Sequence, residues 1–160
     1  MGGGVIEAEA IRFVVFGRAQ GKGSKRALPI KRKAGGGSIV LVDSNKNAAP
    51  WARLVADAAV QAVQRDGVVP PLIRGGVLVE MSFYFARPKG HYGSGRNAKR
   101  LRAGAPEHMA TMPDLDKLAR CALDALTGVL IADDGQICEL RLRKLYGEPE
   151  RLAAAVYAFR

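Results

Sequence analysis

The stretch "PDLDKLARCALDALTGVLIADDGQI", Pro113 to Ile137, decides how this chain is read. Within it Leu115, Leu118, Ala119, Ala122, Leu126 and Val129 recur at helical spacing, which predicts a helix beginning near Asp114 and stopped by Gly128. Asp114 and Asp116 stand at its entrance, and Asp133 and Asp134 follow in the turn after it. A helix of that length spans only about 20 Å, and the chain must then reverse, so packing is able to return the second pair beside the first. Grouped carboxylates repel one another unless a cation sits among them. Hard oxygen donors without His or Cys select Mg²⁺ or Mn²⁺, and such an ion polarises a phosphodiester and activates water.

Each aspartate also has an ordinary structural reading. An Asp at a helix start is a frequent N-cap, Asp-Gly is common turn chemistry, and Asp116 with Arg120 has the spacing of a surface ion pair. One cap needs one aspartate, however, so the second member of each pair is surplus to that role.

The rest of the chain is strongly basic, with a formal charge of +10 and a pI near 10.1. The excess is local. "RAQGKGSKRALPIKRKAGGG", Arg18 to Gly37, holds seven Lys/Arg and no acid, and "RPKGHYGSGRNAKRLRAGAPEHMATM", Arg87 to Met112, holds six against Glu107 alone. Elsewhere 12 basic residues face 14 acidic ones. Positive charge gathered in two Gly-rich stretches points to a polyanionic partner held by phosphate contacts, with flexible solvated segments as the alternative. The candidate DNA contacts are Arg18, Lys22, Lys25, Arg26, Lys31, Arg32 and Lys33 in the first stretch and Lys99, Arg100 and Arg102 in the second. The second stretch has no apolar period, and both, at about 18–37 and 87–112, are expected to be mobile basic loops.

Outward from these segments, "AIRFVVFG" (Ala10 to Gly17), "SIVLVD" (Ser38 to Asp43) and "GVLVEMSFYFA" (Gly76 to Ala86) read as strands, the last with Val77, Val79, Met81, Phe83 and Phe85 on one face. "PWARLVADAAVQAVQRDG" (Pro50 to Gly67) is an amphipathic helix with Trp51, Leu54, Val55, Ala58, Ala59, Ala62 and Val63 at helical spacing. "QICELRLRKLYG" (Gln136 to Gly147) sets Cys138, Leu140 and Leu142 against Glu139, Arg141 and Arg143, a half-buried strand. The closing "RLAAAVYAFR" is either a strand or a short helix. The order predicts one α/β domain over 1–160, a small mixed sheet with two main helices packed on it.

Several function classes are excluded or weakened. Cys121 and Cys138 lack zinc spacing and are too few for a disulfide framework, so both read as small core residues in a reducing compartment. No unbroken run of about 18 apolar residues and no signal-peptide pattern occurs, which predicts a cytoplasmic protein without a membrane role. "GRAQGKGS" misses the phosphate-binding loop by one residue of spacing and carries Gly where Ser or Thr should follow the Lys, so no nucleotide cofactor is expected. His91 and His108 have no ligand partners at metal-site spacing. The residues alone leave two readings side by side: a metal-dependent phosphodiesterase and a non-catalytic nucleic-acid-binding module.

The quoted stretch resembles the RusA family of Holliday junction resolvases. That family's signature runs approximately Pro-Asp-Leu-Asp-Asn-Leu-x-Lys-x-x-x-Asp-x-Leu-x-Gly, then Asp-Asp-x-Gln and a hydrophobic residue. The sharp match covers Pro113 to Ile137, and looser features such as "FGRAQGKGSKR" extend it over most of the chain. The resemblance implies a small mixed α+β homodimer that binds four-way DNA junctions and cuts two opposing strands with Mg²⁺ or Mn²⁺. It implies Asp114, Asp116 and Asp134 as metal ligands and catalytic carboxylates, with Asp133 in support. An RNA-directed nuclease and a branched-DNA-binding protein without cleavage are the alternatives. Two positions depart from the pattern. The usual Lys is Arg120, which steadies phosphate charge but, permanently protonated, cannot act as a base. The usual Asn is Lys117, a cation beside the expected ligands and a further candidate DNA contact.

Overall fold

The computed structural model describes residues 10–31, 37–65 and 73–159. Arg32 and Lys33 fall outside them, as does the side chain of Lys31. The described elements run β1 (Ala10–Phe16), β2 (Lys25–Lys31), β3 (Gly37–Asp43), α1 (Ala48–Arg65), β4 (Val77–Phe85), α2 (Leu115–Leu126), β5 (Ile137–Tyr146) and β6 (Arg151–Ala158). This is a mixed α+β arrangement, with a four-stranded sheet in the order β1-β6-β4-β5 and a separate two-stranded ribbon of β2 and β3.

Alternation builds the main sheet. Ile11, Phe13 and Val15 of β1, Val77, Val79, Met81, Phe83 and Phe85 of β4, and Leu152, Ala154 and Val156 of β6 are all buried on one face. Onto that face pack Trp51, Val55, Ala59, Ala62 and Val63 from α1 and Leu118, Ala122 and Leu126 from α2. Leu54, read with the apolar stripe of α1, lies off it and is exposed. Burial of these side chains, at roughly 1.5–3 kcal/mol for each large one, is the main source of stability.

The C-terminal segment is a strand. β6 runs antiparallel between β1 and β4, with Phe13 opposite Ala154 and Met81 opposite the same residue on the other side. Two neighbours donating and accepting backbone hydrogen bonds outweigh alanine's preference for helix.

β4 and β5 pair in parallel, the one parallel pairing among the described strands. Parallel neighbours require a long crossover. That crossover is the segment between Phe85 and Ile137, so the sheet's own topology carries the second basic stretch and α2 across its helical face.

Two expectations need correction, the reading of 18–37 as one loop and that of Cys138 as a core residue. The stretch at about 18–37 is not one loop: Lys25 to Lys31 forms β2, antiparallel to β3, with Pro29 opposite Ile39. Lys, Arg and Pro read as loop, but a two-stranded ribbon has edges on both sides, where a missing N–H costs nothing. The stretch at about 87–112 is built from turns. Lys89–His91 and Gly95–Asn97 are single 3₁₀ turns, Tyr92 bridges Leu101, and Gly93 N donates to Arg100 O at 2.9 Å. Arg87 stacks on the Tyr146 ring at 4.3 Å and donates to Pro106 O, and Met109 is buried. Local polar bonds and single anchors hold this segment, which leaves no periodic signal in the sequence. Finally, Cys121 is buried but Cys138, near the start of the edge strand β5, is exposed. Leu140, on the same edge strand, is 41% exposed.

Candidate functional site

The entrance of α2 is held from two sides. Asp114 is the N-cap, with extended backbone and no side-chain capping bond, so its carboxylate is not spent on a helix N–H. Behind it, Lys144 of β5 donates from Nζ to Thr111 O at 2.7 Å and to Pro113 O at 2.8 Å. In front, Lys22 N donates to Lys117 O at 3.1 Å, which fastens the segment after β1 to the helix's first turn.

Around that entrance lies a cavity of about 430 Å³ lined by Arg18, Gln20, Lys22, Asn45, Asp114 and Lys117, among others. The fold therefore brings one signature carboxylate and three expected DNA contacts to the same wall. Lys117 Nζ stands 3.1 Å from the Asp114 carboxylate, an exposed pair three residues apart. Arg18 is already engaged, with Nη1 at 2.7 Å from Glu150 and its guanidinium over the Phe85 ring. Lys22 Nζ pairs with Asp124.

Asp116 and Arg120 are both exposed on α2, and the ion pair their spacing permits is not formed. Among the described residues Asp116 thus presents an uncommitted carboxylate, on the helix turn between the lining residues Asp114 and Lys117.

The second aspartate pair sits in a tightly bonded turn. Asp133 Oδ1 accepts from Gly135 N at 2.8 Å, capping the 3₁₀ turn Asp134–Gln136. Gln136 Oε1 accepts from Ala132 N at 2.7 Å and Asp133 N at 3.2 Å, while its Nε2 donates to Ile73 O at 2.8 Å and Gly75 O at 2.9 Å. Gln136, to which the sequence attached no role, is the residue that fixes the Asp133–Asp134 turn against the approach to β4. Its position in the signature was the available signal. Lys144 carried none, since a lysine in an edge strand reads as solvated.

For a divalent cation the donors are right in kind: carboxylates alone, without His or Cys. Their arrangement in one chain is looser, because among the described residues no three of His, Cys, Asp and Glu stand close enough together to hold an ion. Of the expected set, Asp114 and Asp116 share the α2 entrance, and Asp133 is partly committed to its cap.

The other expected DNA contacts spread outward. Lys25 and Arg26 begin the β2–β3 ribbon and are exposed. Lys99, Arg100 and Arg102 are exposed in the turn-built segment, where Arg102 is anchored by Nε to Tyr92 O at 2.8 Å.

Residues 23–157 match the family model described as Endodeoxyribonuclease RusA. The chain belongs to the RusA family. The RusA match takes in both helices, the ribbon, the Asp114–Asp116 and Asp133–Asp134 pairs, and every element of the main sheet except β1. The chain is also 28% identical over 88 residues to Uncharacterized protein YqaN of Bacillus subtilis (strain 168). That likeness covers 53% of this chain and spans 59% of the relative's length.

Proposed function

We propose that this protein is a structure-selective endodeoxyribonuclease that resolves four-way DNA junctions in recombination and repair. One observation carries the reading beyond family membership: Asp114, from the RusA signature, lines the same cavity as Arg18, Lys22 and Lys117. Phosphate-binding cations and an uncapped carboxylate on one wall suit a phosphodiester, since the cations hold the backbone while the carboxylate side supplies the reacting centre.

In this reading Asp114, Asp116 and Asp134 are the ligands of Mg²⁺ or Mn²⁺, with Asp133 in support. A bound divalent ion supplies Lewis acidity toward the scissile phosphate. Arg120, one turn beyond Asp116, steadies charge on the phosphate. Lys25, Arg26, Lys99, Arg100 and Arg102 grip the junction arms. The reading includes a homodimer, because two-fold symmetry matches a substrate with two equivalent scissile phosphates.

A second reading, a branched-DNA-binding protein without cleavage, is favoured by the Lys117–Asp114 pair and the open arrangement of the carboxylates. Nicking of a synthetic four-way junction in Mg²⁺ and in Mn²⁺ separates the two. The wild type should cut and Asp116→Asn should bind without cutting. Binding with no cleavage by the wild type in either metal would establish the second reading instead, and preference for structured RNA over junction DNA at matched salt would redirect the first.

A further inference from the structure

We infer that Asp43 is a positioning residue for the bound DNA strand: it latches the basic segment after β1 onto the end of β3, and Lys22 N carries that segment on to the first turn of α2. The inference rests on the nuclease reading for its substrate and on geometry for the rest.

Asp43 ends β3, and its Oδ1 accepts two backbone N–H groups at once, from Gly23 at 2.9 Å and Asn45 at 2.8 Å. Asn45 continues the link, donating from Nδ2 to Gly21 O at 2.8 Å and to Gln20 Oε1 at 3.3 Å. The contact is close enough to exclude any side chain at Gly23, where a Cβ would fall 2.3 Å from Ser44 Oγ and 2.5 Å from Asp43 Oδ1. A Cβ on Gly21 would stand 3.0 Å from Lys117 Cβ. The β2–β3 ribbon, the Arg18–Ser24 segment and α2 therefore meet at one knot, and that knot is why Arg18, Lys22 and Lys117 face one cavity with Asp114.

Electrostatics isolates the role. A carboxylate among cations weakens attraction for a polyanion, so a purely electrostatic account predicts that removing Asp43 tightens DNA binding. The latch predicts the opposite, because Gly23 N in the basic segment and Asn45 N beside it both lose their acceptor and the strand loses its wall.

Asp43→Ala and Asp43→Asn separate these accounts, since both remove one negative charge and only Asn keeps the Oδ1 acceptor. Junction binding and cleavage are measured for each at fixed salt, with thermal unfolding alongside. Asp43→Ala should raise Kd and KM about tenfold, the loss of roughly two hydrogen bonds, with kcat held within about threefold. Asp43→Asn should stay within about twofold of wild type in all three. Binding by Asp43→Ala as tight as wild type or tighter overturns the inference, and so does an Asn variant as impaired as the Ala variant. Should Asp43→Ala fail to fold, Gly23→Ala presses on the same contact with the carboxylate retained. It should show the same rise in Kd, and an unchanged Kd there also overturns the latch. A wild type that binds junctions without cutting them would sink the nuclease reading alone, because the Kd comparison still reads the latch.

Discussion

Lys117 Nζ lies 3.1 Å from the carboxylate of Asp114, so one of the two residues that depart from the RusA signature is paired with the first of its aspartates. Any cation bound by Asp114 competes with this ammonium. An exposed pair of this kind is worth about 0.2–1 kcal/mol. Lys117→Gln should therefore tighten Mn²⁺ binding about two- to fivefold by calorimetric titration. An affinity equal to or weaker than wild type would show that Asp114 takes no part in holding the ion.

Lys144 ties the edge strand to the chain entering α2 through Thr111 O and Pro113 O. Lys144→Met keeps the aliphatic stem and removes both charge-assisted donors, so it should cost about 1–3 kcal/mol of stability in urea denaturation. The entrance of α2 carries Asp114 and Asp116, so junction cleavage should fall more than the change in folded fraction explains. A variant with wild-type stability would mean that these bonds exchange freely with water.

The two cysteines should be chemically distinct. Burial pushes the Cys121 thiol up from its ordinary range, with Lys22 opposing and Asp43 adding to the shift. Cys138 is exposed. Near pH 7.5 a thiol reagent should modify one cysteine rapidly, mapped to Cys138, and the other only on unfolding. The raised folded-state pKa also sets a sign. Its contribution to stability is fully present below the unfolded thiol's pKa of about 8.5 and is lost as pH rises from there through the folded value. Cys121→Ala should flatten that alkaline decline, and an unaltered pH profile would count against the assignment.

Arg100 and Arg102 are exposed at the turn-built segment, with Arg102 anchored to Tyr92 O. Replacing both by Gln should weaken junction binding and reduce the slope of log K against log salt by about 0.9 for each phosphate the protein no longer neutralises. A double variant with the wild-type slope would place this segment outside the interface.

The sequence by itself determined the elements whose signal is periodic. Val77 to Phe85 alternates because one face meets the helices, and Leu115 to Leu126 repeats at helical spacing because one stripe meets the sheet. It also determined the family, since the spacing of Asp114, Asp116, Asp133, Asp134 and Gln136 is a property of the linear chain. Only the tertiary structure decided the rest. Arg151 to Ala158 is a strand because β1 and β4 flank it, and Lys25 to Lys31 is a strand because β3 pairs with it; neither partner is visible from within the segment. Lys144, Gln136 and Asp43 act through hydrogen bonds to backbone groups far away in sequence, and such bonds leave no composition or period behind them. Which carboxylates stand free and which are paired was likewise a matter of three dimensions. Asp114 and Asp116 are two residues apart and chemically identical, yet the helix turn sets Lys117 against the first and leaves the second open.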